Sequence, residues 1–196
     1  MDRTAVIARL KQFEGCIGHM YKCTGGAVTI GIGHALPTAA DAMSLSWQID
    51  GVAAPADQLR SDYEAVAAAA KGRAAAAYAH LTQCRLTADD AQRLVAADVQ
   101  SCETQLAAAL PIWHSYPALA QEALCDMAFN LGLGGLKKFV TLLHAVDSGN
   151  WARAAAQCHG LGISEARNQA TSALFLRAGS RPGSQPEPRA APPTLQ

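Results

Sequence analysis

The chain has 196 residues, half of them apolar, and its sixteen lysines and arginines balance sixteen aspartates and glutamates. That length suits one domain, or one domain with lobes, and the apolar share can fill a sizeable core. A neutral chain with no basic stripe lacks the footprint of a nucleic-acid binder, and no apolar run approaches the roughly 18 residues of a membrane span. The opening MDRTAVIARLKQFEG carries charges at Asp2, Arg3, Arg9 and Lys11 without an apolar leader core or cleavage motif, so synthesis in the cytoplasm without a signal peptide is expected.

Val6, Ile7, Leu10 and Phe13 recur at helical spacing, which predicts a first helix running up to Glu14 and stopped by Gly15 and Gly18. HMYKCTGGAVTIGIGH then reads as a hairpin, with strands at 20–22 and 28–30 around a turn at 24–26. Gly31 and Gly33 alternate with Ile30 and Ile32, leaving one strand face nearly bare, as where a ligand approaches the backbone. Residues 35–55 read as irregular. The alanine-rich stretch 56–80 favours helix despite Gly72.

Thr87 caps a long amphipathic helix that Pro111 ends, with Asp89 and Asp90 in its first turn. Pro117 opens a helix apolar on most of its surface, placing it centrally in a bundle. Gly132, Gly134 and Gly135 break the chain before LKKFVTLLHAV; NWARAAAQC and SEARNQATSALFLRA follow as helices. Residues 179–196 are Pro-, Gly- and Ser-rich and read as a disordered tail. The pattern is α+β and mostly helical.

Six cysteines (16, 23, 84, 102, 125 and 158) show no CxxC pair or metal-ligand spacing, and most read as small buried thiols. Cys158 and His159 are neighbours that point different ways on a helix, so no metal site is expected. Lys137 and Lys138 read as solvated surface.

Glu14 is singular. A carboxylate at a helix C-terminus opposes the helix dipole, so its placement asks for a reason. Cys23 lies across the hairpin and Thr29 on the returning strand. A carboxyl that holds its proton on one side of a bond, and a polar group that positions water on the other, meet the requirement for hydrolysing a glycoside.

FEG…YKCTGGAVTIGIGH resembles the signature of the phage-type lysozymes, the endolysin muramidases of glycoside hydrolase family 24. The likeness continues in LTADDAQRLVAADV and ALCDMAFNLGLGGLKKFVTLLHAV, and more weakly in the last helix around Arg167 and Leu174-Phe175, covering roughly 5–34 and 86–177. It implies a lysozyme-like domain over 1–178, with a small hairpin lobe (about 14–85), a long joining helix, a helical lobe (about 86–178, with the N-terminal helix) and a cleft between. By resemblance Glu14 is the general acid, and Cys23 and Thr29 orient the attacking water. Gly31, Phe129, Asn130 and Arg167 fall at substrate-binding positions, Arg167 also supporting Glu14 electrostatically. His34 and Asp98 correspond to a buried structural ion pair.

Three departures stand out. Many members carry aspartate where this chain has Cys23, and a thiol with an ordinary pKa near 8.5 is a poor base at pH 7 unless its thiolate is stabilised. Residues 35–86 are longer than in the simplest members, and could cap the cleft, dock a partner or thicken the small lobe. Thr171 stands where the last helix should carry an acid.

The favoured expectation is a monomeric muramidase that cuts the β-1,4 bond between N-acetylmuramic acid and N-acetylglucosamine in peptidoglycan, with no metal or organic cofactor. It would act in the periplasm or on the cell wall, as an endolysin or as a secreted antibacterial effector with an immunity protein. A lytic transglycosylase and a non-catalytic peptidoglycan-binding module are the alternatives. Neither nucleic acid nor stable membrane insertion is expected.

Overall fold

The computed structural model describes residues 1–23 and 25–180, and its contacts divide the chain into two compact units. One comprises Asp2–Gln105; the other begins at Leu106 and includes Met1. Thr24 of the expected turn, and residues 181–196 of the expected tail, lie outside the described residues.

The first unit opens with α1 (Arg3–Glu14), capped by the Asp2 carboxylate, which accepts from the Thr4 and Ala5 N–H groups. Its buried stripe is Val6, Ile7 and Leu10, as the spacing requires. Arg3 binds Glu103 at 2.6 Å and Lys11 binds Gln92, so α1 is anchored within this unit on residues 92 and 103.

The hairpin follows as β1 (Ile17–Lys22) and β2 (Val28–Gly31), with Tyr21 opposite Thr29 and Lys22 opposite Val28. An irregularity between Ile17 and Tyr21 absorbs extra residues on β1. A third strand, β3 (His34–Ala35), pairs with β2 and completes a three-stranded antiparallel sheet where two strands were expected.

The stretch expected to be irregular is structured. It holds α2 (Ala39–Met43), β4 (Trp47–Ile49) and β5 (Val52–Ala53). β4 also pairs with β6 (Arg85–Leu86), giving a second sheet in the order β5-β4-β6. Thr38 and Asp41 cap α2 reciprocally, which explains how a five-residue helix persists.

The alanine-rich segment is not one helix. α3 (Ala56–Ala68) stops early, and a 3₁₀ turn occupies Ala75–Leu81. Propensity loses to tertiary partners here. The Lys22 ammonium takes the Ala67 and Ala69 carbonyls at 2.6 and 2.9 Å, matching a cation to the negative end of the helix. Tyr78 donates to the Ala70 carbonyl at 2.7 Å, and Gly72 turns through φ 82°. Trp47, Leu59, Val66 and Tyr78 join Met20, Ile30, Leu36 and Leu86 in one buried cluster, so residues 35–86 thicken the hairpin unit and build its core.

A buried carboxylate locks this region. Asp62 accepts from the Gln83 and Cys84 N–H groups at 2.8 and 2.7 Å and from the Gln58 amide at 2.7 Å. Three donors offset the cost of removing it from water.

α4 (Ala88–Ala109) begins at Thr87, whose hydroxyl accepts from the Asp90 N–H, and the unit boundary falls within it after Gln105. Beyond it come a 3₁₀ turn (Trp113–Ser115), α5 (Ala118–Leu136), α6 (Val140–Asp147), α7 (Trp151–Gln157) and α8 (Glu165–Gly179). α5 is buried continuously from Gln121 to Ala128, and the expected glycine break is a kink at Gly132 alone, with helix continuing to Leu136. α8 packs on α5 and α7 through Leu174, Phe175 and Ala178. Its extension to Gly179 leaves the first residue of the expected tail helical. Among the described residues no helix is long and apolar enough to cross a membrane.

Candidate active site

Glu14 is the last residue of α1, and Gly15 sets its exit. Gly15 has φ 71° and ψ −174°, a region essentially restricted to glycine, while its N–H still bonds the Lys11 carbonyl. The helix therefore ends in one turn, with the exposed Glu14 carboxyl at its tip. The FEG triplet states that geometry in sequence: acid, then a residue only glycine can replace.

Cys23 follows β1, where its N–H bonds the Ala27 carbonyl and its carbonyl accepts from the Gly26 N–H. Donors near the half-buried thiol are the Thr29 hydroxyl and the backbone N–H groups of Ala27, Gly25 and Gly26. Burial pushes the thiol pKa up, but these donors favour the thiolate and hold the pKa below its ordinary value. The stabilisation that a cysteine needs in this position is thus built from the glycine-rich turn.

Thr29 is buried, and its hydroxyl also lies 3.0 Å from the Ala27 carbonyl. Gly31, buried at φ 65°, continues β2 in a conformation that side chains resist.

His34 Nδ1 is 2.9 Å from both Asp98 oxygens. The two side chains remain 28% and 25% exposed, so the pair is half-buried rather than buried. It ties β3 to α4 within the first unit. The Asp98 hydrogen bond raises the imidazole pKa, burial opposes it, and the charges of Asp98 and Asp41 add to it.

The structure therefore gathers Glu14, Cys23, Thr29, Gly31, His34 and Asp98 in one unit. Phe129 is half-buried and Asn130 exposed on α5 of the other, two residues before the Gly132 kink. Arg167 is 4% exposed, and its Nε and Nη2 meet the two Asp126 oxygens at 3.2 and 3.3 Å. Thr171 donates to Asp126 and to the Arg167 carbonyl. The acid missing from α8 is thus met by one from α5.

Sequence reasoning passed over two residues. Asp126 was visible, with Glu122, as one of two charges in an apolar helix, and a buried charge rarely survives without a partner. Tyr21 was visible as the residue two before Cys23 on a strand, and so on the same face. Its phenol pKa is pushed up to about 12, first by burial, then by the negative charges of Glu14 and Cys23, with a hydrogen bond from the Gly33 backbone acting in the opposite sense.

A mostly helical α+β chain with small antiparallel sheets has a lysozyme-like fold. The chain belongs to the phage lysozyme family, which it matches over residues 11–177. Over 44 residues the chain is also 43% identical to the pre-baseplate central spike protein Gp5 of Enterobacteria phage T4. That match covers 22% of this chain and 8% of the spike protein.

Proposed function

We propose that the protein is a muramidase hydrolysing the β-1,4 bond between N-acetylmuramic acid and N-acetylglucosamine, with Glu14 as the acid and Cys23 and Thr29 as the water-positioning pair. The reading is supported by Glu14 at the tip of α1, Cys23 after β1 and Thr29 on β2 falling within one compact unit of a chain that belongs to the phage lysozyme family.

The Glu14 proton passes to the leaving glycosidic oxygen as the bond to the anomeric carbon breaks. Positive charge grows on the sugar, and the thiolate opposite it is an electrostatic partner for that charge. A water bound by Cys23 and Thr29 adds to the anomeric carbon and yields its proton to the thiolate or to solvent, and Glu14 is reprotonated for the next turnover. We assign Gly31, Phe129 and Asn130 to the binding of the glycan, and Arg167, buried against Asp126, to holding α8 on α5. The place of action is then the periplasm or cell wall, where that glycan is found.

The test is mass spectrometry of fragments from purified peptidoglycan treated with wild type and with Glu14→Gln. Reducing muramic acid ends from the wild type alone support the assignment. Anhydro ends convert it to a transglycosylase, and an absence of fragments from folded wild type defeats both.

A further inference from the structure

The turn that carries Cys23 has a neighbour from outside the hairpin. A carbon added to Gly26 would lie 3.6 Å from Lys71 Cδ, and one added to Gly25 would lie 3.6 Å from the Cys23 sulfur. The lysine stem and the thiol therefore lie beside the same two-glycine stretch of backbone.

The chain on both sides of Lys71 is fixed to β1. Lys22 binds the Ala67 and Ala69 carbonyls at 2.6 and 2.9 Å, and His19 Nε2 lies 2.9 Å from the Ala75 carbonyl. Gly72, at φ 82°, turns the chain directly after the lysine, and Tyr78 ties that turn by donating to the Ala70 carbonyl. The stem is placed, but its charge is not spent. Lys71 is exposed, and among the described residues its ammonium has no hydrogen-bond or ion-pair partner. Lys11 and Lys22, by contrast, use theirs on Gln92 and on the Ala67 and Ala69 carbonyls. An ammonium whose stem is already positioned loses less freedom on binding an anion than one that swings free.

The sugars of peptidoglycan are neutral once the muramic acid carboxyl is joined to a peptide, and the negative charge lies in the free carboxylates of the stem peptides. A stem peptide springs from the muramic acid whose bond is cut, so its carboxylates reach the site with the substrate. We propose that Lys71 is a substrate-binding residue of the hydrolytic site, whose ammonium takes a stem-peptide carboxylate beside the Cys23 turn. The proposal rests on the muramidase reading. The contact forms with the bound substrate and is kept through bond cleavage, so its loss raises KM and leaves kcat largely alone. Arginine also pairs with carboxylates, whereas glutamine keeps the reach and loses the charge.

The experiment measures kcat and KM for wild type, Lys71→Gln, Lys71→Arg and Arg177→Gln by release of reducing ends, each normalised to its folded fraction from circular dichroism. The substrate is a soluble peptidoglycan oligosaccharide with its stem peptides. The same material with its carboxyls converted to amides serves as a competitive inhibitor, which reads its affinity whether or not it is cut. Lys71→Gln is expected to raise KM about three- to tenfold, with kcat within about twofold, as for one partly exposed charge-assisted hydrogen bond. Wild type and Lys71→Gln should bind the amidated material equally, and Lys71→Arg should keep most of the affinity for the native substrate. Arg177→Gln, which removes the same charge from an exposed position on α8, should behave as wild type. An unchanged KM in Lys71→Gln overturns the proposal, as does a wild-type advantage that persists on the amidated material. An equal rise in Arg177→Gln overturns it in favour of general charge attraction. A fall in kcat at constant KM overturns it in favour of a role in the chemical step. Absence of cleavage by the folded wild type removes the muramidase reading and this proposal together; the other failures remove this proposal alone.

Discussion

Replacing Asp98 with asparagine removes the charge from the pair with His34 while leaving an oxygen that can still accept from the ring. Because the folded-state imidazole pKa is raised, its contribution to stability is complete below the unfolded value near 6.5 and is lost as pH rises through the folded value. A hydrogen bond between charged groups contributes about 1.5–3 kcal/mol. Both side chains are about one quarter exposed, and solvent screening brings this down to about 1–2 kcal/mol. For a chain of this length each kcal/mol moves Tm by about 2–4 °C, so Asp98→Asn should melt about 2–8 °C below wild type at pH 5.5. Melting curves taken from pH 5.5 to 9 should show the two proteins converging as pH rises. A gap that is constant, or that widens with pH, would refute the reasoning.

Gly15→Ala places a side chain in a backbone region that only glycine occupies freely, with no neighbouring atom within 4 Å of the new carbon, so its cost is conformational. Denaturant unfolding should show a loss of about 1–3 kcal/mol, and equal stability would contradict the strained geometry. Asp62→Ala leaves the Gln83 and Cys84 N–H groups without their acceptor and should cost about 2–5 kcal/mol in urea, with Asp62→Asn recovering part of it. Alkylation of Cys23 by iodoacetamide, followed by peptide mass spectrometry, should titrate below the ordinary thiol range and move upward in Thr29→Val. A midpoint at or above that range would remove the thiolate from the mechanism.

What the sequence disclosed followed from strong local constraints. Gly15, Gly31 and Gly33 mark backbone at positive φ, and the α1 stripe and the Thr87 cap obey helical spacing. The second sheet was not legible, because strands of two or three residues such as β5 and β6 carry too little pattern to be distinguished from loop. The alanine-rich segment misled for the opposite reason. Its local preference for helix is strong, but Lys22, Tyr78 and Gly72 impose an end that is invisible until the chain is folded. At the site, Glu14 and Cys23 were legible from residue type and spacing. The donors that lower the Cys23 pKa are mostly backbone N–H groups, which every sequence supplies and none announces. Resemblance places Arg167 at a cleft position, and its bidentate partner Asp126 lies 41 residues away in the chain.

The contacts of Lys22 and His19 with residues 67–75 share one property. Each is made to a main-chain carbonyl, those of Ala67, Ala69 and Ala75, and none to a side chain. The hairpin therefore recognises the path of the neighbouring segment and not its composition. Exposed positions along that path, such as Ala67, are free to drift in identity so long as the backbone keeps its course. Evolution or an engineer could install new surface chemistry beside the hairpin without rewriting the anchor that holds it there.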